Sequence, residues 1–217
     1  MKTNIFQLIS NYDTSLFTKV FLFLRWISAP FKKMETLCPQ KGLILDIGCG
    51  HGLFDLFLII KSKNRIIYAL DPDKKKATPT RALNKKINNI FFFKNSFKNF
   101  STKEKFDAIL LIDLLYLLSS KEKRSLLEKA KTLLKPNGKI LIKTINYSPT
   151  FKFLLCYLQE FIFVKLLKFT FSETKKLSYY SLNQHRNLFN NYHFKIKKEI
   201  QLKTIFFHPH YLFILKK

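Results

Sequence analysis

The chain has 217 residues, enough for one domain of ordinary size whose core needs no disulfide or metal to fold. Hydrophobic residues make up 47% of it, with 24 Phe and 9 Tyr, which excludes a disordered or fibrous protein. Its three cysteines, Cys38, Cys49 and Cys156, form no CxxC pair, so the sequence predicts no disulfide framework and no metal site, and favours a reducing, cytoplasmic environment.

Basic residues outnumber acidic ones by 39 to 14, which gives a formal net charge of +25. Such an excess ordinarily indicates a nucleic acid or an anionic membrane surface as partner. Only five of the basic residues are arginines, whose planar guanidinium suits specific recognition of phosphates and bases better than the lysine ammonium does. We therefore expect the excess to reflect composition more than nucleic-acid recognition.

The first 40 residues predict a helical lead-in, with an apolar helix over 16–27 that Pro30 ends and a short second helix before Pro39. From residue 43 to residue 145, short apolar strands alternate with helices, which is typical of βαβ units in a parallel, doubly wound α/β sheet. The predicted strands are 43–47, 65–70, 90–93, 106–112 and 139–145, and the predicted helices are 53–61, 73–86 and 121–134.

The last third of the chain predicts a helical insertion and a closing hairpin. The segment 151–171 has the length of a membrane span, but its charged side chains would be costly in hydrocarbon, so we expect no spanning helix. The tail contains two β-rich runs, 196–207 and 211–215, joined at His208, Pro209 and His210. The fold class is therefore α/β, a mostly parallel sheet with an antiparallel C-terminal hairpin.

Three of the five glycines lie within five residues, directly after the first predicted strand. Gly48, Gly50 and Gly52 permit a tight turn and let a ligand approach the backbone, and the loop opens into a helix whose free amides favour a carboxylate or phosphate. Asp46 leads the pattern DxGxGxG. The pattern is not the dinucleotide GxGxxG, because Leu53 stands at the third glycine position, and it lacks the GK[ST] ending of a Walker loop.

The string ILDIGCGHG at 44–52 resembles the first motif of class I methyltransferases that use S-adenosylmethionine, and the resemblance covers most of the chain. It implies an enzyme with a Rossmann-like sheet and a single domain over 1–217. Its parts would be a lead-in at 1–40, a cofactor-binding core at 43–145, a lid at 146–193 and a closing hairpin at 194–217. The cofactor contacts it implies in the loop are Asp46, Gly48, Cys49, Gly50 and Gly52.

The resemblance implies further contacts at the ends of later strands. Asp71, in YALDPD, stands where the family holds both ribose hydroxyls, which a carboxylate can accept together. Asn95, in FFFKNSF, matches a position that usually carries an Asp beside the adenine amino group. Asp113, in FDAILLIDLLYLL, is expected either to contact cofactor or substrate or to cap a helix, and Asp107 is expected to anchor a turn.

The acceptor is left open by the residues. Methyl transfer needs alignment of the nucleophile, and a general base only where the acceptor must lose a proton. His208 and His210 are candidates for that base, with His51 in the loop, and packing or solvent roles for them stay open. Tyrosines around the lid predict an apolar chamber for a small, lipid-like acceptor, with O-methylation favoured: Tyr147, Tyr157, Tyr179 and Tyr180.

Two other functions stay open at this stage. The charge is compatible with an RNA methyltransferase, although the fourth strand leads through Ile112 and Asp113 without the NPPY or DPPY signature of base-amine methylation. A cationic, aromatic lid segment is compatible with a catalytically inactive protein of the same fold that rests on a membrane surface. The favoured prediction is a cytoplasmic methyltransferase, with peripheral membrane contact left open.

Overall fold

A computed structural model describes residues 9–10, 12, 14–73, 76, 88–147, 151, 154, 157–158, 177–203 and 209–217. The chain divides into two compact units, Met1–Ser101 and Thr102–Lys217, whose described residues contain three and four strands. Most of the predicted helix 73–86 and most of the lid lie outside the described residues. No helix in the described ranges has the length and apolar content that a membrane span requires.

Two helices open the first unit. Helix α1 spans Leu16–Ser28 and helix α2 spans Phe31–Glu35, on either side of Pro30, as the apolar run and the proline predicted. The indole of Trp26 fixes α1 to the core, because its ring meets the ring of Phe57 edge-on at a centroid distance of 4.9 Å. One side of α1 is thereby buried.

Three parallel strands follow, in the order β3-β2-β1. Strand β1 spans Gly42–Ile47, helix α3 spans Leu53–Lys61, and strands β2 and β3 span Arg65–Leu70 and Ile90–Phe93. These boundaries lie within one residue of the sequence predictions. Because the strands are parallel, their carboxyl ends share one edge, and the glycine loop begins at that edge.

The second unit contains four strands in the order β4-β5-β7-β6. The β4 and β5 strands are parallel, whereas β7 runs antiparallel to both β5 and β6, which confirms the closing hairpin and the predicted fold class. Its elements are β4 (Phe106–Ile112), a short 3-10 turn (Leu115–Leu117), α4 (Ser120–Leu133), β5 (Leu134–Ile145), α5 (Leu182–Asn191), β6 (Lys195–Leu202) and β7 (His210–Lys216).

Two boundaries differ from the sequence predictions. The Pro-Asn-Gly turn interrupts β5 from within, since Phe106 pairs with Leu134 and Ala108 with Lys139, leaving residues 135–138 to bulge outward. Asp107, expected to precede the fourth strand and anchor the turn before it, lies within β4, and its carboxylate accepts from the Lys135 ammonium at 2.8 Å. His210 is the first residue of β7 rather than part of the connection before it.

A buried arginine joins three elements of the first unit. The Arg65 guanidinium donates to the Glu35 carboxylate at 2.7 Å and to the carbonyls of Pro39 and Leu58 at 2.7 and 2.6 Å. Arg65 is fully buried, so these acceptors replace the water that the guanidinium loses on folding. The pair ties α2 to the start of β2.

We predict that Arg65→Ala lowers the free energy of unfolding by about 3 kcal/mol, because it leaves a buried carboxylate and two carbonyls without their donor. Urea unfolding monitored by circular dichroism measures this loss. The matched control is Arg186→Ala, which removes an exposed arginine from a similar pair with Glu199 and should cost much less. Equal losses in the two variants would contradict the structural role given to Arg65.

Candidate functional site

The glycine loop is fastened to the end of the neighbouring strand. The amides of Gly48 and Cys49 both donate to the carbonyl of Leu70, at 2.8 and 3.0 Å. Gly52 then takes a φ of +66°, donates to the Cys49 carbonyl and begins helix α3. The loop is therefore a short bridge from β1 into a helix, held by the last residue of β2.

Open space lies beside the middle of this loop. Gly50 has a φ of +58°, in the left-handed region where any other residue would be strained, and a Cβ built there would meet no atom within 4 Å. The positive φ alone favours a glycine at this position, and the open space leaves room for another molecule to approach the backbone.

Asp71 closes the other side of the loop. Its Oδ2 atom accepts a hydrogen bond from the Gly50 amide at 2.9 Å, and its Oδ1 atom accepts one from the Asp73 amide at 2.9 Å. The side chain is largely buried; burial raises its pKa, while Lys76 and these two amides act in the opposite direction. A carboxylate is thus held beside the open face of Gly50.

Asn95 lies at the same edge of the sheet. The amides of Asp71 and Asn95 both donate to the carbonyl of Phe93, at 3.2 and 3.0 Å. This shared carbonyl fixes the start of the two connections that leave β2 and β3. The structure therefore brings the predicted residues of the first unit together: Asp46, Gly48, Cys49, Gly50, Gly52, Asp71 and Asn95.

A pair of buried acids lies beneath the loop. Asp46, near the end of β1, and Asp55, in the first turn of α3, face each other within hydrogen-bond reach. Within the described ranges no N–H or O–H group donates to either oxygen of Asp55 or to Oδ1 of Asp46. A proton kept by one carboxyl would supply the missing donor, and the raised pKa of both acids favours this arrangement.

Burial is the main reason that this pair stays protonated. It raises the pKa of Asp55 from 3.8 to about 7, and burial together with the charge of Asp55 raises the pKa of Asp46 well above its ordinary value. Sequence reasoning missed Asp55. The signal was available, because Asp55 is the only polar residue in the helical string LFDLFLII, where an ordinary core helix would have none.

The neighbours of the acid pair are neutral. The Tyr12 hydroxyl donates to the carbonyl of His51 at 3.0 Å, and burial raises the pKa of both the Tyr12 hydroxyl and the Cys49 thiol. Burial lowers the pKa of His51 to about 4, with Lys76 acting in the same direction, so its imidazole is uncharged near neutral pH. Tyr12 lies in a segment with no recognisable motif, and sequence reasoning had no means to find it.

A second cluster of ionisable side chains occupies the second unit. The Lys143 ammonium donates to both oxygens of Asp113, at 2.6 and 2.7 Å, and lies 3.3 Å from Nδ1 of His210. All three residues are buried. Because an ammonium can only donate, Nδ1 of His210 must accept, which places the ring proton of the neutral imidazole on Nε2.

This cluster corrects one prediction and leaves others untested. Asp113 does not cap a helix, since the 3-10 turn begins after Leu114 and Ser119 caps α4; instead Asp113, at a φ of +54°, pairs with Lys143. Sequence reasoning missed Lys143, although a lysine within the apolar run ILIKT was a visible signal. His208, the other candidate base, lies outside the described residues.

The predicted aromatic chamber can be described only in part. Tyr179 stacks on Tyr116 at a centroid distance of 5.1 Å, and the Lys123 ammonium lies 3.6 Å from the centre of the Tyr180 ring. Tyr147 is about half exposed, and its amide donates to the carbonyl of Tyr180. Tyr157 contacts Tyr179 edge-on, whereas most of the lid, 159–176, is outside the described part of the chain.

The sequence profile of a protein family described as "Methyltransferase domain" matches residues 21–199. Solved structures with 14% to 17% identity share the fold. One is an O-methyltransferase family 2 protein from Planctomyces limnophilus in complex with apigenin, at 17% identity and a TM-score of 0.67, covering 93% of this chain and 59% of its own. No curated protein sequence matches this chain.

Two further similar structures come from Burkholderia thailandensis. The first is 1,6-didemethyltoxoflavin-N1-methyltransferase with bound 1,6-didemethyltoxoflavin and S-adenosylhomocysteine, at 14% identity, a TM-score of 0.68 and coverage of 89% of this chain and 80% of its own. The second is an O-methyltransferase family protein, at 15% identity, a TM-score of 0.65 and coverage of 87% and 55%. This chain therefore spans little more than half the length of either O-methyltransferase.

The acid pair predicts a pH dependence of folding. Between pH 3.8 and about 7 the folded protein holds a proton that the unfolded chain releases, so this contribution to stability is lost as the pH rises through that window. Asp55→Asn cannot titrate. We predict that, relative to the wild type, Asp55→Asn gains at least about 1.4 kcal/mol in the free energy of unfolding across this window, the equivalent of one pKa unit.

Urea unfolding of both proteins in a series of buffers measures this difference. The depressed pKa of His51 gives the opposite trend, but it is present in both proteins and cancels in the comparison. Parallel pH profiles for wild type and Asp55→Asn would contradict the shared proton.

Proposed function

We propose, on the premise that this chain belongs to the family of S-adenosylmethionine-dependent methyltransferase domains, that it transfers a methyl group to a small, apolar acceptor, with oxygen as the favoured atom. The observation that carries the proposal is the hydrogen bond from the Gly50 amide to Asp71, set beside open space at the Gly50 Cα. This hydrogen bond connects two features of a nucleoside site. One is a backbone that a ligand can approach closely, and the other is a carboxylate that can bind vicinal hydroxyls.

The chemistry of Asp71 fits a ribose. Each carboxylate oxygen has two lone pairs and uses one of them on a backbone amide, of Gly50 or of Asp73. One acceptor position remains on each oxygen for a hydroxyl donor. The two amides also fix the plane of the carboxylate, so the side chain is oriented before the ribose arrives.

The acids under the loop fit the charge of the cofactor. S-adenosylmethionine carries a sulfonium and an ammonium, and Asp46, Asp55 and Asp71 concentrate buried carboxyls around the glycine loop. In the free protein a shared proton offsets part of that charge. A bound cation would take over this role, so we expect cofactor affinity to increase as the pH rises toward 7 and Asp46 and Asp55 lose their proton.

The acceptor we propose enters already ionised. When bound, S-adenosylmethionine supplies an electrophilic methyl group for in-line displacement. The candidate base His210 is a poor match to proton removal, because Lys143 occupies Nδ1 and leaves a proton on Nε2. A carboxylic acid or an acidic phenol needs no base, since it loses its proton to water at neutral pH.

Small acceptors are supported by the similar structures more than polymers are. The Planctomyces protein is bound to apigenin and one Burkholderia protein to 1,6-didemethyltoxoflavin, both small aromatic molecules. The latter is an N-methyltransferase, so the similar structures do not favour one acceptor atom. We prefer oxygen because a carboxylate or an acidic phenol needs no base. For RNA, the one favourable feature is the net charge, and Asp113 at the end of β4 is engaged by Lys143.

Calorimetric titration with S-adenosylhomocysteine tests the cofactor site. We predict that Asp71→Ala weakens binding by about 10- to 100-fold, because a charge-assisted pair of hydrogen bonds to the ribose is lost together with the partner of Gly50. The control is Asp107→Ala, which removes a carboxylate from a surface pair with Lys135. Unchanged affinity in Asp71→Ala, or an equal loss in Asp107→Ala, would contradict the proposal.

A further inference from the structure

Helix α1 presents an apolar face to solvent. Leu16, Val20 and Leu24 recur every four residues and are 78%, 49% and 46% exposed, and Phe17, on the same side, is 60% exposed. At 100° per residue these four side chains fall within one arc of about 100°. The opposite side of the helix is the buried one, where Leu22 is 1% exposed and Trp26 packs on Phe57.

This face is unusual for a helix at a protein surface. A surface helix ordinarily turns its apolar stripe inward and its polar residues outward, whereas α1 is apolar on both sides. Its cationic residues, Lys19 and Arg25, lie outside the exposed arc, toward the side of the helix that carries Leu22 and Trp26. The helix therefore has one apolar face that packs against its own core and a second on which Leu16, Val20 and Leu24 remain 46% to 78% exposed.

The exposed charged residues between positions 14 and 47 are of one sign. From residue 14 to residue 47 the acidic residues are Glu35 and Asp46, and both are buried. Lys32 and Lys33 of α2 and Lys41 before β1 are exposed. The exposed apolar arc is thus accompanied by ammonium groups with no exposed carboxylate in the same stretch to balance them.

We propose that α1 lies in the headgroup region of an anionic lipid bilayer, with Leu16, Phe17, Val20 and Leu24 inserted and the nearby lysines against lipid phosphates. An interfacial helix of this kind combines an apolar face that enters the acyl boundary with flanking cations that attract anionic lipid. The proposal concerns where the enzyme works and is independent of its cofactor. It places the first unit at a surface where apolar acceptors accumulate.

The charge of the chain also favours an anionic bilayer, rather than a second copy of the chain, as the partner of α1. Two copies that met through α1 would bring together the same lysines on proteins of formal charge +25, without an exposed carboxylate from this stretch to pair with them. An anionic bilayer offers both an apolar layer and charge of the opposite sign. RNA carries negative charge, but it has no apolar layer that would bury Leu16, Val20 and Leu24.

Co-sedimentation of the full chain with vesicles tests this surface. We expect binding to phosphatidylcholine vesicles that contain phosphatidylglycerol, much weaker binding to pure phosphatidylcholine, and a loss on raising the salt concentration. The double variant Val20→Gln/Leu24→Gln should reduce the partition coefficient at least about tenfold, since two apolar side chains no longer leave water. Lys32→Gln/Lys33→Gln should reduce it and weaken its dependence on salt.

The matched control is Ile66→Gln/Phe91→Gln, which alters two apolar side chains of similar exposure, 43% and 47%, on strands β2 and β3. It should bind vesicles as the wild type does.

Sedimentation velocity and S-adenosylhomocysteine titration confirm that each variant is folded. The proposal is overturned if Val20→Gln/Leu24→Gln binds anionic vesicles normally, if the wild type ignores them, or if that variant converts a dimer into a monomer instead.

Discussion

The hydrogen bond between the Gly50 amide and the Asp71 carboxylate is the contact on which the site depends. It links residues 21 positions apart, one in the loop after β1 and the other at the end of β2. The geometry requires a residue at position 50 that tolerates a φ of +58°. It also requires a carboxylate at position 71, which is largely buried and therefore needs hydrogen-bond donors. This contact thus couples the conformation of the loop to the orientation of the acid.

The buried carboxyls under the loop lower the stability of the free protein. Both oxygens of Asp55 and Oδ1 of Asp46 are buried without an N–H or O–H donor among the described residues, and burial favours the protonated form of both acids. An ordinary core would fill this space with apolar side chains. Carboxyls in such a position are typical of binding sites that are destabilised when empty. A bound ligand, here a cation, offsets the lost free energy.

Much of the fold could be predicted because its signals are local. The strands Arg65–Leu70, Ile90–Phe93 and Phe106–Ile112 are short apolar runs with polar boundaries, and the structure has them at the predicted residues. The glycine spacing and Asp71 indicated the candidate site in the same way. Asp55, Lys143 and Tyr12 were missed because their roles come from burial and from partners distant in sequence, which a linear pattern does not record.

We propose that the glycine loop and Asp71 together form the cofactor cradle. Hydrogen–deuterium exchange of the full chain, with and without S-adenosylhomocysteine, tests this role because it locates protection along the backbone. We expect slowed exchange on binding to be concentrated in residues 46–56 and 70–73. Protection confined to the second unit, or binding that leaves the amides of the loop unchanged, would contradict it.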